Sequence, residues 1–528
     1  MKTLLSLRRY RYLFMLISAV LMGMTLIFPG KLGALQWVAF VPLVMVIDAL
    51  ISDERMTAPR AYGYGVAFFM MLYVIVYHWF WVMYPLDFTG LSEFYALCVI
   101  LLACLGLPLL ASVAGGFTFV AAFFVKRTEC LKRFSFLPFL AFALAYAVFD
   151  FSQTLTFAGV PWGRLPIGQT GNSIVLSSVS FFGSYFLTFA IVLCNAALGY
   201  VLVYKKKAFL SVSAGSIALI CLLGTIGYSL SFLGDGATVK AAAIQGNMAS
   251  SEKWGEDSFS ITVDRYTKQT ELAINEGATF IVWPESVFPF SVRNRYALDT
   301  VNRITDENGI YLFYGALDYG ENGRQNYNAL ALSHDGNVNL NNLYYKRKLV
   351  PFGEYVPMRD FVSVIFPMLS QVSMLAEDVI AGEDSNLFDT EYGKVGGMIC
   401  FDSIYEDVTL DAVRDGAELL VLGTNDSWFF DSAAGYMHNA QSQIRACEVG
   451  RCIVRSANTG VSSIINARGE IIDLEEALLE GYAIGEVTFR DAKTLYVIIG
   501  DVFVYLAAVA LLSSSVLYFV GKRRKYSI

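Results

Sequence analysis

The sequence has few histidines and few charged residues for its length. Only three histidines occur among 528 residues, and Lys, Arg, Asp and Glu together make up 16% of the chain. There is no Cys-x-x-Cys pair and no cysteine–histidine spacing that suits zinc, so we expect no metal site and no cofactor. Basic tracts with interleaved aromatic residues are also missing, which argues against nucleic acid as a partner.

The chain is instead rich in apolar residues. Hydrophobic residues make up 55% of it and the mean hydropathy is +0.51, whereas ordinary soluble proteins are about 45–50% apolar. A membrane-spanning helix needs roughly 20 apolar residues. Eight runs meet that length, near 12–29, 34–50, 61–85, 92–125, 135–152, 173–203, 208–233 and 495–520. The sequence therefore predicts an α-helical membrane protein with eight spans.

Basic residues predict how these spans are oriented, because Lys and Arg concentrate on the cytoplasmic side. With eight spans, the basic clusters all fall on one side: the N-terminus, 55–60, 126–133, 205–207 and 522–525. Splitting the run 92–125 into two spans would place the three later clusters outside. We therefore expect both termini in the cytoplasm.

The polar part of the chain is residues 234–494, which this orientation places outside the cytoplasm. It lies between a predicted bundle of seven spans over 1–233 and a last span with a basic tail over 495–528. Nine apolar β-type runs occur there, at 238–245, 278–283, 310–317, 327–333, 395–400, 418–424, 452–457, 461–466 and 482–488. Helical stretches lie between several of them, including 256–276, 403–415 and 435–449. This alternation is typical of an α/β domain with helices on the faces of a sheet.

Three reactive side chains follow ordered segments of this domain. Glu285 ends the apolar run 280–285, Cys400 ends the run 395–400, and Lys346 and Lys348 lie beside a turn. Acyl transfer through a thioester requires a base, a nucleophilic thiol and a positive charge for the oxyanion. A lone cysteine is more often a packing residue, but its companions favour a catalytic role. The residue types alone leave the choice between the two lysines open.

Several motifs in one order give the chain a family resemblance. Trp-Pro-Glu ends at Glu285, Lys-x-x-Leu-Val-Pro-Phe-Gly-Glu-Tyr begins at Lys346, and Ile-Cys-Phe-Asp contains Cys400. This set resembles the carbon-nitrogen hydrolase (nitrilase) superfamily. Together with eight spans around an external domain, it is similar to the bacterial apolipoprotein N-acyltransferases. The resemblance implies an extracytoplasmic α/β nitrilase-like domain with four αββα layers on a transmembrane helical bundle.

The resemblance also implies a reaction. An acyl chain moves from a phospholipid, typically phosphatidylethanolamine, to the α-amino group of the diacylglyceryl cysteine that begins an apolipoprotein. Cys400 would be the nucleophile and Glu285 the base. The family pattern places the catalytic lysine eight positions before the motif glutamate, which implies Lys346. This lysine would stabilise the thiolate and the oxyanion together with backbone N–H groups just after Cys400.

Further residues match family positions. Glu354 matches a glutamate that orients the lysine and the cysteine. Asp402 replaces the usual glutamate, and its shorter side chain leaves its supporting role open. Trp254 matches a tryptophan near the acyl-chain entrance, although packing is an alternative role. Asn425 and Trp428 follow a strand, where loop residues often line a substrate site.

Other features leave two interpretations open. The stretch 356–376 is unusually apolar for a loop, and it predicts either a lid through which lipid enters or a buried core helix. Arg164, in an external loop, is either a lipid-phosphate contact or a solvated charge. His438 is an alternative base, but a core or helix-surface position is favoured. Three arginines are expected to be scaffold residues that pair with carboxylates: Arg445, Arg451 and Arg455.

Two rival functions share these features. A membrane-tethered amidase or nitrilase that acts on a small C–N substrate would use the same three reactive residues, but it does not explain the spans or the apolar loop. A transporter or sensor with an inactive nitrilase-like domain would be expected to lack a reactive residue or to carry charges deep in the spans. The sequence favours an acyltransferase of the bacterial inner membrane.

Overall fold

The computed structural model describes residues 8–86, 91–156, 159–231, 236–248, 258–288, 290–320, 323, 325–360, 364 and 378–526. The chain divides into two compact units. The first unit contains residues 1–78, 101–228 and 499–528, and the second contains residues 79–100 and 229–498.

Long apolar helices account for the hydropathy of the chain. In the described residues, seven helices have the length and composition to cross a membrane: Arg8–Ile27, Gly33–Ile51, Ala58–Val76, Glu93–Arg127, Val179–Tyr204, Lys207–Leu230 and Val502–Arg523. An eighth apolar helix, Leu137–Ser152, has 16 residues. At about 1.5 Å per residue it is shorter than the roughly 30 Å hydrocarbon core. The eight helices overlap the eight predicted runs one by one, which confirms the predicted helical bundle.

Several of these stretches are composed of shorter pieces. Gly33–Ile51 consists of Gly33–Ala39 and Val41–Ile51, and the run 92–125 consists of Glu93–Gly115 and Phe117–Arg127. The second joint falls at Gly116, whereas Pro108 lies inside a continuous helix.

The region before Val179–Tyr204 has short helical turns. They are Pro161–Gly163, Leu165–Gln169 and Ser173–Ser177. Arg164 lies between the first two turns and is only 1% exposed. Its Nη1 donates to the Tyr185 hydroxyl at 3.2 Å, and its guanidinium lies over the Tyr185 ring. The interpretation of Arg164 as a solvated loop charge is therefore wrong.

The second unit is built on two β-sheets. The strands in chain order are β1 Thr238–Gln245, β2 Phe280–Val282, β3 Tyr311–Asp318, β4 Tyr327–His334, β5 Asn337–Val338, β6 Tyr344–Tyr345, β7 Phe388–Thr390, β8 Gly393–Ile399, β9 Leu419–Thr424, β10 Ile453–Ala457, β11 Ser462–Ile465, β12 Ile471–Glu475 and β13 Gly481–Thr488. One sheet has the order β13-β1-β2-β3-β4-β5 with β6 beside β4, and the other has the order β12-β11-β10-β9-β8-β7. In each sheet three neighbouring central strands are parallel: β1, β2 and β3 in one, and β8, β9 and β10 in the other.

The two sheets pack face to face between two layers of helices. Successive side chains of a strand point to opposite faces. Ala241 and Ala243 of β1 accordingly lie in one core with Val421 and Val454 of the other sheet, whereas Ala242 lies in a second core beneath helices. Helices α1 Ser258–Asn275 and α2 Arg295–Asn308 cover the first sheet, and α3 Glu406–Arg414 and α4 Ala433–Val449 cover the second. This arrangement confirms the predicted four-layer αββα domain.

The segment 79–100 belongs to the second unit although it follows the third apolar helix in sequence. Its first five residues, 79–83, lie in the 3-10 helix His78–Met83. Within it, the Trp79 ring packs edge-on against Phe429, with ring centroids 5.2 Å apart. Phe429 ends the turn Ser427–Phe429, which follows β9.

Candidate active site

The predicted catalytic residues come together at the edge where parallel strands end. Glu285 follows β2 closely, and Cys400 and Asn425 follow β8 and β9 directly. Ligand sites of α/β sheets commonly form outside the carboxyl ends of such strands. β6 pairs antiparallel with β4, which pairs antiparallel with β3, so β6 runs parallel to β3. Lys346, directly after β6, therefore reaches the same edge.

Two glycines allow both sheets to approach Glu285 closely. A Cβ on Gly315 of β3 would lie 2.6 Å from the Pro284 carbonyl oxygen and 2.7 Å from Glu285 Cα. A Cβ on Gly423 of β9 would lie 3.0 Å from the Glu285 nitrogen. Contacts below about 3.0 Å are too close for a carbon atom, so a side chain at Gly315 would displace Glu285.

Lys346 is held between two carboxylates. Its Nζ donates to Glu285 Oε1 at 2.9 Å and to Glu354 Oε1 at 2.9 Å, and the residue is 1% exposed. Burial by itself lowers the pKa of Lys346, but the Glu285 and Glu354 carboxylates raise it well above its usual value. Lys346 is therefore a permanent positive charge in this site. Lys348 instead points to Asp407 on α3 and is partly exposed.

Asn328 on β4 joins the same cluster, and the sequence did not indicate it. Its Nδ2 donates to Glu285 Oε1 at 2.7 Å and to Glu354 Oε1 at 3.2 Å. Glu354 is fixed further by the Val350 N–H, which donates to its Oε2 at 2.8 Å. One ammonium and one amide thus hold two carboxylates in a fixed arrangement. The signal available in the sequence was an asparagine near the start of a mostly apolar strand.

Asn425 contacts the site through its backbone. Its N–H donates to Glu285 Oε2 at 3.0 Å, while its side-chain oxygen accepts from Asn458 Nδ2 at 2.9 Å. Glu285 is therefore bonded on both carboxylate oxygens.

Cys400 occupies a strained turn at the end of β8. Its φ is +49°, a region that residues other than glycine adopt at a cost of about 1–3 kcal/mol. The Ser403 hydroxyl donates to the Cys400 carbonyl at 2.8 Å within the 3-10 helix Cys400–Ile404. Burial and the Glu285 carboxylate raise the pKa of the Cys400 thiol well above its usual value, and Lys346 opposes them. The resting group is therefore a thiol that needs a base.

Asp402 links the nucleophile turn to the lysine segment. The residue is fully buried, and its carboxylate accepts from Tyr344 OH at 2.8 Å, from the Ile399 N–H at 2.9 Å and from the Lys348 N–H at 2.8 Å. Burial raises the pKa of Asp402 to about 6, although these donors oppose the shift. Its bonds are to backbone groups and to a tyrosine, so it fixes the chain on either side of Cys400 and Lys346.

A second buried charge cluster lies behind Cys400. Asp426 Oδ1 accepts from Thr424 Oγ1 at 2.8 Å and lies 2.8 Å from His438 Nδ1, and Asp426 Oδ2 accepts from Arg455 Nη2 at 2.6 Å. Burial would raise the pKa of Asp426, but His438 and Arg455 lower it to about 2. His438 is 1% exposed, which confirms the expected core position.

The other two arginines of the predicted scaffold row differ in their partners. Arg445 Nη1 lies 2.9 Å from Glu406 and its Nη2 lies 2.8 Å from Glu448, which confirms the predicted carboxylate pairing. Arg451 bonds to backbone carbonyls, including Ala417 at 2.7 Å and Ala492 at 2.6 Å. The described contacts of Arg451 include no carboxylate, so the predicted pairing of Arg451 with a carboxylate is wrong.

The predicted substrate-binding residues are only partly described. Trp428 is half-buried in the turn Ser427–Phe429. Trp254 and most of the apolar stretch 356–376 lie outside the described residues. Across the residues that are described, no group of three or more His, Cys, Asp or Glu side chains is placed to hold a metal ion.

Models of two protein families match successive parts of the chain. Residues 18–197 match the apolipoprotein N-acyltransferase N-terminal domain, and residues 240–495 match carbon-nitrogen hydrolase. Among solved structures, a nitrilase-superfamily protein of Saccharomyces cerevisiae is 17% identical with a TM-score of 0.37, covering 48% of this chain and 90% of its own. An amidase from Nesterenkonia sp. is 15% identical with a TM-score of 0.35, covering 50% and 94%.

Relatives of known name match nearly the whole chain. The apolipoprotein N-acyltransferase of Geobacter metallireducens is 30% identical over 509 residues, which cover 94% of this chain and 93% of the relative. That of Gloeobacter violaceus is 30% identical over 488 residues, which cover 92% and 90%. The match includes both the apolar helices and the domain that carries Cys400, Lys346 and Glu285. This chain therefore belongs to the apolipoprotein N-acyltransferase family.

Proposed function

We propose that this protein transfers a fatty acyl chain from a phospholipid to the N-terminal amine of diacylated apolipoproteins, through a thioester on Cys400. The observation that carries the proposal is the buried cluster of Glu285, Lys346 and Glu354 beside Cys400, in a chain that also has long apolar helices. The cluster supplies a base and a positive charge to a thiol, and the helices hold the protein in the membrane that contains the donor.

In the first half-reaction, Cys400 Sγ attacks the ester carbonyl carbon of the phospholipid while Glu285 takes the thiol proton. Lys346 Nζ and the backbone N–H groups after Cys400 stabilise the tetrahedral oxyanion. Collapse breaks the ester C–O bond, and the proton on Glu285 passes to the departing alkoxide. The products are a lysophospholipid and a Cys400 thioester.

In the second half-reaction, the α-amine of the acceptor attacks the thioester carbon. Glu285 takes a proton from the amine, and the same positive charge stabilises the second oxyanion. The C–S bond breaks, the sulfur regains its proton, and the acyl chain leaves as an amide. Lys346 retains its own proton throughout, because its two carboxylate partners raise its pKa.

We propose phosphatidylethanolamine as the usual donor, and a bacterial inner membrane as the location. The catalytic domain faces away from the cytoplasm and both termini lie inside, as the basic clusters favour. A membrane-impermeant maleimide should then label Arg295→Cys, an exposed position of the catalytic domain, in cells with a permeabilised outer membrane. With both variants made on the Cys400→Ala protein, so that the site thiol cannot react, it should not label Lys206→Cys, and the reverse pattern would contradict this orientation.

The reaction is tested with purified protein in detergent, phosphatidylethanolamine and a synthetic diacylated lipopeptide with a free α-amine. We expect the lipopeptide to gain one acyl chain, and we expect no gain with an N-acetylated lipopeptide or with the Cys400→Ala variant. Release of ammonia from small amides, without acylation of the lipopeptide, would instead favour the tethered amidase. Replacing the donor by phosphatidylglycerol or phosphatidylcholine tests the headgroup preference.

A further inference from the structure

His438 connects the Asp426 cluster to the peptide group of the nucleophile. Its Nε2 lies 3.2 Å from the Cys400 carbonyl oxygen and 3.0 Å from Ser403 Oγ. On the other side of the ring, Nδ1 lies 2.8 Å from Asp426 Oδ1, and Arg455 Nη2 lies 3.2 Å away while donating to the same carboxylate. The ring therefore bridges a buried carboxylate and the backbone of Cys400.

The partners of the two ring nitrogens define what each nitrogen does. An ionised carboxylate and a carbonyl oxygen can only accept hydrogen bonds. Nδ1–H therefore donates to Asp426, and a proton on Nε2 lies between the Cys400 carbonyl oxygen at 3.2 Å and the Ser403 hydroxyl oxygen at 3.0 Å, both of which can accept it. Donation from both nitrogens is the chemistry of the doubly protonated ring. The Ser403 hydroxyl also donates to the Cys400 carbonyl, at 2.8 Å, so both lone pairs of this carbonyl oxygen have a donor.

The carbonyl of Cys400 and the N–H of Phe401 belong to one peptide group. A donor on the carbonyl oxygen polarises the peptide and makes its N–H a stronger donor, because successive hydrogen bonds reinforce one another in a buried site. The Phe401 N–H is the first backbone donor after the nucleophile. We propose that His438 is a positioning residue that polarises the Cys400–Phe401 peptide, and so strengthens the Phe401 N–H as a donor to the oxyanion. This inference rests on the proposed acyl-transfer function.

Two near-isosteric variants separate the two hydrogen bonds of His438. In His438→Gln, the amide nitrogen occupies the place of Nε2 and can still donate to Cys400, while the bond to Asp426 is lost. In His438→Asn, the amide nitrogen occupies the place of Nδ1 and can still donate to Asp426, while the bond to Cys400 is lost. Asp426 keeps Thr424 and Arg455 as donors in either case, which supports folding of both variants.

The readout is specific to this peptide, because Cys400–Phe401 is the only Cys-Phe pair in the sequence. Protein labelled with carbonyl-13C cysteine and 15N phenylalanine gives one peak in a TROSY-HNCO spectrum. We expect His438→Asn to move the Phe401 amide proton and the Cys400 carbonyl carbon upfield, and His438→Gln to keep both near their original shifts. His334→Asn and His334→Gln are matched controls, since His334 also contacts a carbonyl, that of Ile310, but lies outside the site.

Activity provides the second readout. We expect His438→Asn to lower kcat for lipopeptide acylation by about three- to tenfold, the effect of one ordinary hydrogen bond, with KM unchanged and His438→Gln close to the parent protein. A role only in supporting Asp426 predicts the opposite order, with His438→Gln impaired and His438→Asn normal, and would overturn the proposal. An unmoved peak in His438→Asn would overturn it too. The spectrum needs no substrate, so it tests the polarisation even if no acyl-enzyme forms.

Discussion

Removing the Lys346 charge should have a much larger effect than removing the Lys348 charge two residues later. In Lys346→Met, the buried Glu285 carboxylate and the largely buried Glu354 carboxylate remain beside each other without the ammonium that now lies 2.9 Å from each. In Lys348→Met, the partner Asp407 is half-exposed and keeps its contact with water. The two variants make the same change in side chain, so they differ only in the environment of the lysine.

The structure gives a magnitude for each variant. Breaking a buried ion pair by removing one partner costs about 3–5 kcal/mol, whereas a partly exposed pair contributes about 0–1 kcal/mol. For a domain of this size, each kcal/mol lowers the melting temperature by roughly 2–4 °C. We therefore expect Lys346→Met to melt roughly 10 °C below the parent protein and Lys348→Met within about 3 °C of it. Loss of an oxyanion donor should also slow acyl-enzyme formation by about 10²–10³-fold in Lys346→Met alone.

Scanning fluorimetry in detergent measures the melting temperatures, and the rate of lysophospholipid release measures acylation. The stability deficit of Lys346→Met should shrink as the pH is lowered, because protonation of either carboxylate removes the repulsion between them. If Lys346→Met melts like the parent protein, or if Lys348→Met is equally impaired, the account of this cluster is wrong.

Three further predictions concern neighbouring groups. Burial and the Glu285 carboxylate raise the pKa of Cys400, so removing the charge in Glu285→Gln should make Cys400 react faster with iodoacetamide at pH 8, although acyl transfer is lost. Peptide mass spectrometry measures the labelling, and slower labelling would contradict the charge effect. Burial raises the pKa of Asp402 to about 6, so its contribution to stability is complete below about pH 4 and falls by roughly 3 kcal/mol as the pH rises through 6. The melting-temperature difference between the parent protein and Asp402→Asn should follow this trend between pH 4 and 7.5, and a difference independent of pH would refute it. Gly315→Ala should displace Glu285 and reduce the rate of acylation about 100-fold. The control Gly435→Ala on α4, where a Cβ meets no atom within 4 Å, should retain activity. Equal acylation rates for the two variants would contradict the close packing at Gly315.

The buried strands could be predicted from the sequence almost to the residue. The run 238–245 is β1, and the run 418–424 contains β9, because the central residues of these strands, 241–244 and 419–422, are buried and continuously apolar. Glu285 and Cys400 could be recognised because each reactive side chain comes at the end of such an apolar run. Their meeting also depends on the face-to-face packing of the two sheets, because Glu285 follows β2 of one sheet and Cys400 follows β8 of the other.

Elements with few apolar residues were missed. Helix α2 was not predicted because it is mostly polar and buries only a narrow stripe that includes Ala297 and Val301. Its ends carried a readable signal: Asn294 accepts from two N–H groups of the first turn, and Gly309 ends the helix with a φ of +60°. β12 was missed because it is an edge strand with exposed isoleucines.

The supporting residues of the site depend on contacts that spacing does not reveal. Asn328 meets Glu285 across 43 positions and His438 meets Cys400 across 38, and neither distance leaves a pattern in one sequence. The role of Asp402 was left open because its side chain is short. In the structure that length suits bonds to the Ile399 and Lys348 N–H groups.

The central claim is that Cys400 carries an acyl chain taken from a phospholipid. Intact-protein mass spectrometry after incubation with phosphatidylethanolamine, without an acceptor, tests it most directly. We predict a mass increase of one fatty acyl chain that hydroxylamine removes and that Cys400→Ala does not show. A folded protein that gains no adduct, or an adduct that persists in Cys400→Ala, would contradict the claim.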